Sequence, residues 1–494
     1  MKLRGADVLA RTLAAAGARR VFTLSGNHVM PVFDAALDAK LDLVHVRHEA
    51  AAVHMADAWG RLTGEPGVAL VTGGPGHANA LGALYTALMS DSPMLLLSGH
   101  APLAELGKGA FQELPQAELA APLTKLSFTA QSAETIGRDL VRALEAARGG
   151  RPGPVHLSLP TDVLDARVEA DIPAAPPREE TPAVPAEILE ALRQAKKPLV
   201  VTARLGAADF EAVSGVPEVS MQSPRGLNDA TLGRVASLLA QADVVLLAGK
   251  RLDYTLKYGR AFDPAARIVR LETPRGLAEA ARGLGWKKSG WLREVKDALA
   301  YRPAAWQKLG LSAGAAHPAA VCRALQPMLE SPQAILVCDG GEYGQWAQAC
   351  LRAPRRLTNG QAGAIGSALP FAAAAKLAFP DAPVLAMLGD GTFGFHMSEL
   401  DTAVRHQLGY MAVVGTDACW NAEYQIQLRE YGKDRAHGLD LLPTRYGAAA
   451  AALGAHGEDV MKGVDLPDAL ARARNAGRVA CVNVAIERAA APAY

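Results

Sequence analysis

The sequence predicts three α/β domains, each built on a doubly wound parallel sheet. Short apolar runs typical of buried strands alternate with stretches of helical periodicity along most of the 494 residues, and such alternation indicates a parallel sheet with helices on both faces. One proline-rich stretch interrupts it. We therefore expect a first domain over residues 1–165, a linker over 166–185, a middle domain over 186–312 and a last domain over 313–494.

The bulk composition is that of an ordinary globular chain. Apolar residues make up 50% of it, charged residues 20%, and the formal net charge is +1, so the charge balance favours neither nucleic acid nor a membrane surface as a partner. No apolar run reaches the roughly 18 residues of a transmembrane helix, and the N-terminus lacks a signal-peptide pattern. Five cysteines without a C-x-x-C pair suit a reducing cytoplasm.

The first domain carries two turns of chemical interest between its predicted elements. Apolar runs predict strands at residues 21–24, 44–46, 68–71 and 94–97, and a helical pattern covers 50–62. Glu49 follows a strand and opens this helix, where a carboxylate is also a common helix cap. Residues 72–79, TGGPGHAN, form a glycine-rich turn whose backbone can approach a flat ring closely. On chemistry alone this turn is equally consistent with a plain strand-to-helix connection.

The middle domain shows the same alternation but no phosphate-binding loop. Its predicted strands lie at residues 198–202, 244–248 and 268–271. Gly249-Lys250 lacks both the preceding glycine and the following hydroxyl residue of a P-loop. We therefore favour a structural domain and keep a domain that binds a nucleotide or a flavin as the alternative.

The last domain is organised around a strand, a glycine turn, a helix and a further strand. Its predicted elements are a strand at 335–338, a loop over 339–346, a strand at 384–388, one helix ending at Gly409, and a strand at 410–414. The turn Gly389-Asp390-Gly391 precedes the helix, and Asp417 follows the last of these strands. Both carboxylates therefore stand at carboxyl ends of strands, where open α/β sheets bind ligands.

Two ligands compete for this turn. Gly389, Gly391 and Gly394 match the spacing of a dinucleotide fingerprint, which favours an NAD(P)-dependent oxidoreductase. However, Asp390 places a carboxylate where a pyrophosphate should meet backbone N–H groups, and like charges repel unless a cation lies between them. Two carboxylates, backbone carbonyls and a diphosphate form an oxygen-only shell suited to Mg²⁺. We therefore favour a Mg²⁺–diphosphate site and keep the dinucleotide as the alternative.

The same turn resembles the thiamine diphosphate motif of the superfamily that contains acetolactate synthase and benzaldehyde lyase. Other segments that resemble this superfamily are the sequence around Glu49, the turn at 72–79, the segment GPVHLSLP at 153–160, and the motif GAIG at 363–366. The likeness covers nearly the whole chain in domain order, and such agreement is stronger than any one motif. One position departs from the pattern, because Asp417 stands where the superfamily usually has an asparagine.

The resemblance implies a pyrimidine-binding first domain, a reduced middle domain and a diphosphate-binding last domain. Glu49 would hydrogen-bond the pyrimidine ring and activate the cofactor, which carries the difficult chemistry. Ile365 would hold the cofactor in its bent shape, and the carbonyl of Gly363 would accept from the pyrimidine amine. The implied metal ligands are Asp390, Asp417 and the carbonyl of Cys419. The implied cofactor-binding residues are Glu49, Gly73, Pro75, Asn79, Gly363, Ile365, Gly389, Asp390, Gly391, Thr392 and Asp417.

Three polar residues of the first domain are candidates to face the substrate and to act in catalysis beside Glu49. His28 resembles the active-site histidine of benzaldehyde lyase, and Gln112 matches the glutamine of the superfamily's F-Q-E segment. His77 lies in the glycine-rich turn, where many members have a small residue. Histidine titrates near neutral pH and suits proton transfer to a carbonyl oxygen, although a loop histidine is often only a surface residue.

The implied activity is C–C bond formation or cleavage by a thiamine diphosphate- and Mg²⁺-dependent carboligase, decarboxylase or lyase. We expect a small 2-oxo acid that is decarboxylated and whose acyl unit passes to a carbonyl acceptor, as in acetolactate synthase. The alternative in the superfamily is a lyase acting on an acyloin or 2-hydroxyacyl compound, which His28 favours. A non-catalytic homologue is a third hypothesis because of Asp417. The resemblance also implies a homodimer or homotetramer with active sites between subunits.

Overall fold

Parallel sheets form the framework of all three segments that the sequence assigns to separate α/β domains. The computed structural model describes residues 2–174, 181–203, 208–286 and 289–492. Within these ranges the framework consists of two six-stranded sheets and one four-stranded sheet, and the strands in each of them pair in parallel. The predicted fold class is confirmed, whereas the domain limits stay predictions.

The first segment folds into a six-stranded sheet with helices between its strands. Its strands are β1 (Leu3–Arg4), β2 (Arg20–Thr23), β3 (Asp42–His45), β4 (Gly67–Val71), β5 (Met94–His100), β6 (Leu126–Thr129), β7 (Pro154–Pro160) and β8 (Arg167–Val168). Its helices are α1 (Gly5–Ala15), α2 (Met30–Ala39), α3 (Glu49–Thr63), α4 (Pro75–Met89), α5 (Gln116–Ala120), α6 (Ile136–Arg148) and α7 (Thr161–Asp165). The sheet has the order β3-β2-β4-β5-β7-β6, while β1 and β8 form a separate antiparallel pair. The predicted linker therefore begins with a strand, and residues 175–180 within it lie outside the described residues.

The middle segment contains the four-stranded sheet. Its strands are β9 (Pro198–Thr202), β10 (Glu218–Ser220), β11 (Val244–Ala248) and β12 (Arg267–Leu271). Its helices are α8 (Ala186–Gln194), α9 (Ala208–Ser214), α10 (Leu277–Ala280), α11 (Ser289–Ala300) and α12 (Ala304–Lys308). The order β10-β9-β11-β12 includes the three predicted strands and adds β10 at one edge. Only the central valine of β10 is buried, so this strand gives little apolar signal in the sequence.

The last segment repeats the strand order of the first. Its strands are β13 (Ile335–Cys338), β14 (Arg355–Thr358), β15 (Val384–Gly389), β16 (Met411–Thr416), β17 (His456–Val460) and β18 (Ala480–Ala485). Its helices are α13 (Pro318–Leu325), α14 (Gly341–Cys350), α15 (Ala368–Ala378), α16 (Asp390–His396), α17 (Glu399–Arg405), α18 (Asn421–Tyr431), α19 (Tyr446–Ala452) and α20 (Leu466–Asn475). The order β14-β13-β15-β16-β18-β17 matches that of the first sheet strand for strand. The chain thus carries two sheets of one topology.

The loop predicted over residues 339–346 is wrong, because α14 begins within it. Tyr343, Trp346 and Ala347 are buried at helical spacing. Gln345, which precedes Trp346, and Gln348, which follows Ala347, are buried as well. Buried polar residues interrupt the apolar pattern, and this hides the helix in the sequence.

The single helix predicted after the glycine turn is also wrong, because the structure has two helices there, α16 and α17. At the end of α16 the ring of His396 bonds the carbonyl of Gly366 over 2.7 Å, and the chain begins a new helix three residues later. The second helix ends before Gly409. Gln407 adopts the left-handed conformation, with φ +54°, and the next N–H, that of Leu408, returns to the carbonyl of Ala403 over 2.8 Å. These bonds close the helix in the way a glycine cap usually does.

The first and last segments share one apolar core. Helix α3 packs against α15, and residues of both helices belong to the same buried cluster. Phe371 of α15 lies edge-on to the ring of His54, with centroids 5.6 Å apart, and beneath the guanidinium of Arg61 at 4.9 Å. Arg61 also donates to the carbonyl of Thr358 over 2.7 Å. These contacts hold the two end domains together within one chain.

The five cysteines are free thiols, and four of them are buried. They therefore contribute as small apolar side chains and not as crosslinks. Along the ranges that the structure describes, no helix combines the length and apolarity needed to cross a membrane.

We expect Phe371→Ala to lower the free energy of unfolding by about 3–5 kcal/mol, because the substitution leaves a cavity between α3 and α15. Differential scanning calorimetry should show the main transition at a lower temperature. Leu442→Ala is the control, since Leu442 is 78% exposed and its loss should change stability by less than about 0.5 kcal/mol. Equal transitions for both variants would contradict a shared core.

Candidate active site

A pocket opens at the carboxyl ends of β13, β15 and β16 in the last domain. Of the predicted cofactor and metal residues, those that line it are Ile365, Gly389, Asp390, Gly391, Thr392, Asp417 and Cys419. The pocket is also lined by four residues that are not among the predicted site residues, namely Glu342, Tyr343, Trp420 and Asn421. The structure therefore brings together most of the residues predicted to hold the diphosphate and the metal.

Two carboxylates face this pocket, of which Asp390 is buried and Asp417 is partly buried. Asp390 accepts hydrogen bonds from the N–H groups of Gly391 and Ala418, each over 2.9 Å. Burial and the negative charge of Asp390 raise the pKa of Asp417 to about 7, and burial also raises the pKa of Asp390. A divalent cation between such carboxylates removes their repulsion. With the carbonyl of Cys419 they offer oxygen ligands of the kind that Mg²⁺ prefers, so the residues fit the predicted metal.

The loop that carries Asp417 packs tightly on the glycine turn. Ala418 adopts the left-handed conformation, with φ +53°, which residues with a Cβ rarely adopt. The ring of Trp420 leaves no room for a side chain on Gly391, because a Cβ there would come within 2.6 Å of it. Thr392 closes the turn by donating from Oγ1 to the carbonyl of Gly389 over 3.0 Å. Close approach of the backbone therefore explains the glycine at position 391.

A buried aspartate shapes the turn that carries Ile365. Asp339 accepts from the N–H groups of Gly340, Gly366 and Ala368 over 2.8, 2.9 and 3.0 Å. Burial raises the pKa of Asp339 to about 6. Gly363, in the same turn, has φ +68°. Asp339 is not among the predicted site residues, although it follows a buried strand directly, as Asp390 does.

In the first domain, Glu49 lies next to the glycine-rich turn. Helix α3 is capped by His48, which accepts from the N–H of Ala50, so the Glu49 carboxylate is not used as the cap. Asn79 Nδ2 donates to Glu49 Oε2 over 3.0 Å, and only 8% of Glu49 is exposed. A Cβ on Gly76 would lie 3.4 Å from Glu49 Oε1. The turn and the carboxylate thus form one site.

Packing fixes the residue types in this turn. A Cβ on Gly73 would lie 2.7 Å from the carbonyl oxygen of Gly99. Gly74 has φ +57°, and a Cβ there would lie 2.6 Å from the carbonyl oxygen of Gln112. Pro75 is the first residue of α4, where its missing N–H removes no helical hydrogen bond.

His28 and Gln112 lie close to the exposed ring of Phe111. The rings of His28 and Phe111 stack with centroids 6.0 Å apart, and His28 Nδ1 lies 3.1 Å from Thr72 Oγ1. Burial lowers the pKa of His28, so its ring is neutral near pH 7.

Gln112 has φ +57°, and its Oε1 is buried without a hydrogen-bond partner among the described residues. Backbone strain and unpaired polar atoms concentrate at functional sites. Phe111 is 68% exposed, which the sequence could not indicate.

His77 points into the interior of the first domain. Its Nδ1 lies 2.8 Å from Ser98 Oγ, and its ring centroid lies 4.7 Å from that of His156. Burial lowers the pKa of His77 to about 4, so the imidazole is neutral at pH 7. Its Nε2 is buried and finds no hydrogen-bond partner in the described part of the chain. The proton-transfer role of His77 stays a prediction.

Within the described chain, the two groups of predicted residues form separate half-sites. All residues that line the last-domain pocket lie between residues 340 and 423. Glu49, Asn79, His28 and Gln112 belong to the first domain instead. One half-site offers ligands for a metal-bound diphosphate, and the other offers groups suited to a flat ring and a substrate.

A pocket with two carboxylates at a glycine turn, and a glutamate beside a glycine-rich turn on a sheet of the same topology, are the features expected of a thiamine diphosphate-dependent enzyme. Residues 3–119 match the family model described as thiamine pyrophosphate enzyme, N-terminal TPP binding domain. Residues 339–484 match that described as thiamine pyrophosphate enzyme, C-terminal TPP binding domain. The chain belongs to the thiamine pyrophosphate enzyme family. This confirms the resemblance and decides against the dinucleotide alternative.

Curated relatives carry two kinds of name. The chain is 33% identical to 2-hydroxyacyl-CoA lyase 2 of Bos taurus, across 92% of this chain and 84% of that protein. It is 31% identical to a probable acetolactate synthase of Mycobacterium bovis, across 97% of this chain and 94% of that protein. It is also 31% identical to 2-hydroxyacyl-CoA lyase 2 of Caenorhabditis elegans, across 98% of this chain and 90% of that protein. Identity alone therefore does not choose between a synthase and a lyase.

We expect His77→Gln to reduce the acid sensitivity of the protein. The folded pKa of about 4 lies below the ordinary 6.5, so between these values the unfolded chain binds the proton more readily and stability falls as the pH falls. The substitution should narrow the stability loss between pH 7 and pH 4.5 by up to about 3 kcal/mol, measured by urea unfolding. His54 and His156, whose pKa values are also lowered, remain in both proteins. An identical loss in both would contradict the neutral, buried state of His77.

Proposed function

We propose that the protein forms or cleaves a carbon–carbon bond next to a carbonyl group, with thiamine diphosphate and Mg²⁺ as cofactors. The donor is a small 2-oxo acid that loses CO₂, and its acyl unit passes to an aldehyde or ketone. The observation that carries the proposal is the pair of complementary half-sites. Asp390 and Asp417 supply the anionic oxygens for a metal, and Glu49 lies beside the glycine-rich turn.

The chain's own residues bind the cofactor and orient it. Thiamine diphosphate supplies the carbon nucleophile when it is bound. Asn79 fixes the direction of the Glu49 carboxylate, which is then poised to hydrogen-bond the ring of the cofactor. Gly73 and Gly74 let the backbone of the turn pack closely on the carbonyl oxygens of Gly99 and Gln112. Burial strengthens the hydrogen bond of Glu49, because a low local dielectric weakens electrostatic interactions less than water does.

Gln112 and His28 are the groups proposed to face the substrate. The unpaired Oε1 of Gln112 can accept a hydrogen bond from a substrate hydroxyl, which would satisfy a buried oxygen. His28 keeps a neutral ring, held at Nδ1 by Thr72. A neutral imidazole near the reacting carbonyl can take up or return a proton.

A lyase is the second candidate function, and His28 is the observation that favours it. Cleavage of an acyloin or 2-hydroxyacyl compound requires a base that removes the proton of the hydroxyl group as the carbon–carbon bond breaks. The lowered pKa of His28 leaves the ring free to accept that proton at neutral pH. The two candidates share the cofactor site and differ in the donor.

We further propose that two copies of the chain combine their half-sites. The pocket of one copy would receive the first-domain half-site of the other, which gives a homodimer or a homotetramer of two such dimers. The separation of the half-sites within one chain supports this arrangement. The shared core between α3 and α15 holds the end domains in that arrangement.

The partners and location that we propose follow from charge and thiols. A net charge of +1 gives no reason for a nucleic-acid or membrane partner, so the substrates are small molecules. Five free cysteines suit a reducing cytoplasm.

We expect Glu49→Gln to abolish turnover while thiamine diphosphate still binds. Purified protein with thiamine diphosphate and Mg²⁺ should release CO₂ from at least one small 2-oxo acid, and EDTA should stop the release. Glu49→Gln should lower the rate by at least about 100-fold, because the amide cannot exchange a proton with the ring. Glu145→Gln, an exposed position on α6, is the matched control and should keep the wild-type rate.

The outcomes of this assay distinguish between the candidate functions. Cofactor binding without CO₂ release would favour the lyase, and cleavage of acyloins should then be lost in Glu49→Gln. A protein that neither binds the cofactor nor turns over would contradict the proposed function. If wild type and Glu49→Gln bind the cofactor equally and neither turns over any substrate, the protein is a non-catalytic homologue.

We expect Glu49→Gln and Asp390→Asn to complement each other in mixed oligomers. Each variant alone should be inactive, since each lacks one half of every site. Co-expressed chains form hybrids in which one site combines the intact Asp390 of one chain with the intact Glu49 of the other. Measurable activity in hybrids purified through two different affinity tags would support sites between subunits. Hybrids without activity would place both residues of a site in one chain.

A further inference from the structure

The described residues that follow β18 are hydrogen-bonded to the last-domain pocket. Residues 487–492, called the tail from here on, follow β18. Asn421 Nδ2 donates to the carbonyl of Ala489 over 3.4 Å. The N–H of Ala491 donates to the carboxylate of Glu342. Asn421 and Glu342 both line the pocket, so the tail is tied to two of its lining residues.

Arg488 connects the tail to the loop that carries Asp417. Its Nε donates to the carbonyl of Asp417 and its Nη2 to the carbonyl of Ala418, each over 3.0 Å. The same Nη2 lies 2.9 Å from Asp440 Oδ1. A guanidinium suits this arrangement, because its donors lie in a fixed planar fork that a lysine lacks.

These contacts hold the loop where its backbone is least favourable. Ala418 has φ +53°, which costs free energy unless neighbouring contacts impose it. Its N–H is held by Asp390, and its carbonyl accepts from the N–H of Leu441 over 2.8 Å as well as from Arg488. Loss of Arg488 removes two hydrogen bonds from consecutive residues of the loop.

Arg488 also brings a positive charge to an acidic pocket. Its charge acts favourably on the carboxylates of both Asp390 and Asp417. Glu342, a third carboxylate of the pocket, has its own partner in Arg225, with the charged atoms 3.1 Å apart. The diphosphate proposed to bind here is itself an anion. A cation beside Asp417 therefore reduces the repulsion that its carboxylate adds to the site.

We propose that Arg488 is a positioning residue for the cofactor, which fixes the loop 417–419 and offsets the negative charge of Asp417. The inference rests on the proposed function of the pocket as a diphosphate–Mg²⁺ site. It gives the tail a part in cofactor binding that none of the sequence motifs indicates.

The first test is binding of thiamine diphosphate to the full-length protein in saturating MgCl₂, measured by isothermal titration calorimetry. Arg488→Gln should weaken binding roughly tenfold, because charge-assisted hydrogen bonds to the loop are lost from a partly exposed site. Arg488→Lys should recover part of the affinity, since it keeps the charge but not the fork. Arg478→Gln, at an exposed position of the same domain, should bind as the wild type does.

A double-mutant cycle with Asp417→Asn separates charge from geometry. If Arg488 offsets the Asp417 charge, Arg488→Gln should weaken binding less in the Asp417→Asn background than in the wild type. An equal effect in both backgrounds would overturn the charge role.

The positioning role has a readout that needs no cofactor. Hydrogen–deuterium exchange of the cofactor-free protein should be faster in peptides covering residues 415–422 for both Arg488→Gln and Arg488→Lys, at unchanged melting temperature. If both variants exchange these peptides at the wild-type rate, the positioning role is overturned. A wild type that binds no thiamine diphosphate would overturn the proposed function together with this inference. If wild type and Arg488→Gln bind thiamine diphosphate with equal affinity, the inference alone is overturned.

Discussion

The repulsion between Asp390 and Asp417 is the interaction on which the pocket depends. Neighbouring parallel strands end at the same edge of a sheet, so carboxylates that follow β15 and β16 are forced together. Backbone N–H groups stabilise Asp390, and the guanidinium of Arg488 acts on both. Partial burial of the pair reduces how far water screens the remaining repulsion. A bound cation would offset the repulsion of such a pair, and this supports the proposed metal-bound diphosphate.

Two sheets of the same topology let one chain carry two different half-sites. Glu49 follows β3 in the first sheet, and Asp390 follows β15 in the last, so both lie at carboxyl ends of strands. The connecting loops there are free to differ in chemistry, because the sheets beneath them carry the stability. The packing of α3 on α15 then sets how one half-site is oriented relative to the other. Orientation is thus a property of the core, while chemistry is a property of the loops.

The sequence was informative where one short segment determines both structure and chemistry. The buried strands, the glycine turn with Asp390, and Glu49 at the start of a helix are all local patterns, and the structure has each of them. It was uninformative where the cause lies far along the chain. Arg488 contacts a loop about 70 residues away, and α14 is hidden because its polar residues are buried by tertiary packing. The ring of Phe111 and the strained Gln112 likewise become visible only when distant segments meet.

The division into half-sites has a consequence for how the amount of protein relates to activity. Under the proposed arrangement a single chain holds no complete site, however well it is folded. Mass action then makes the assembled fraction rise with concentration, so rate per chain would fall on dilution even though no chain unfolds. Cofactor that bridges two copies would oppose this loss by favouring the assembled form. Thiamine supply would therefore control how many chains are paired as well as how many are loaded.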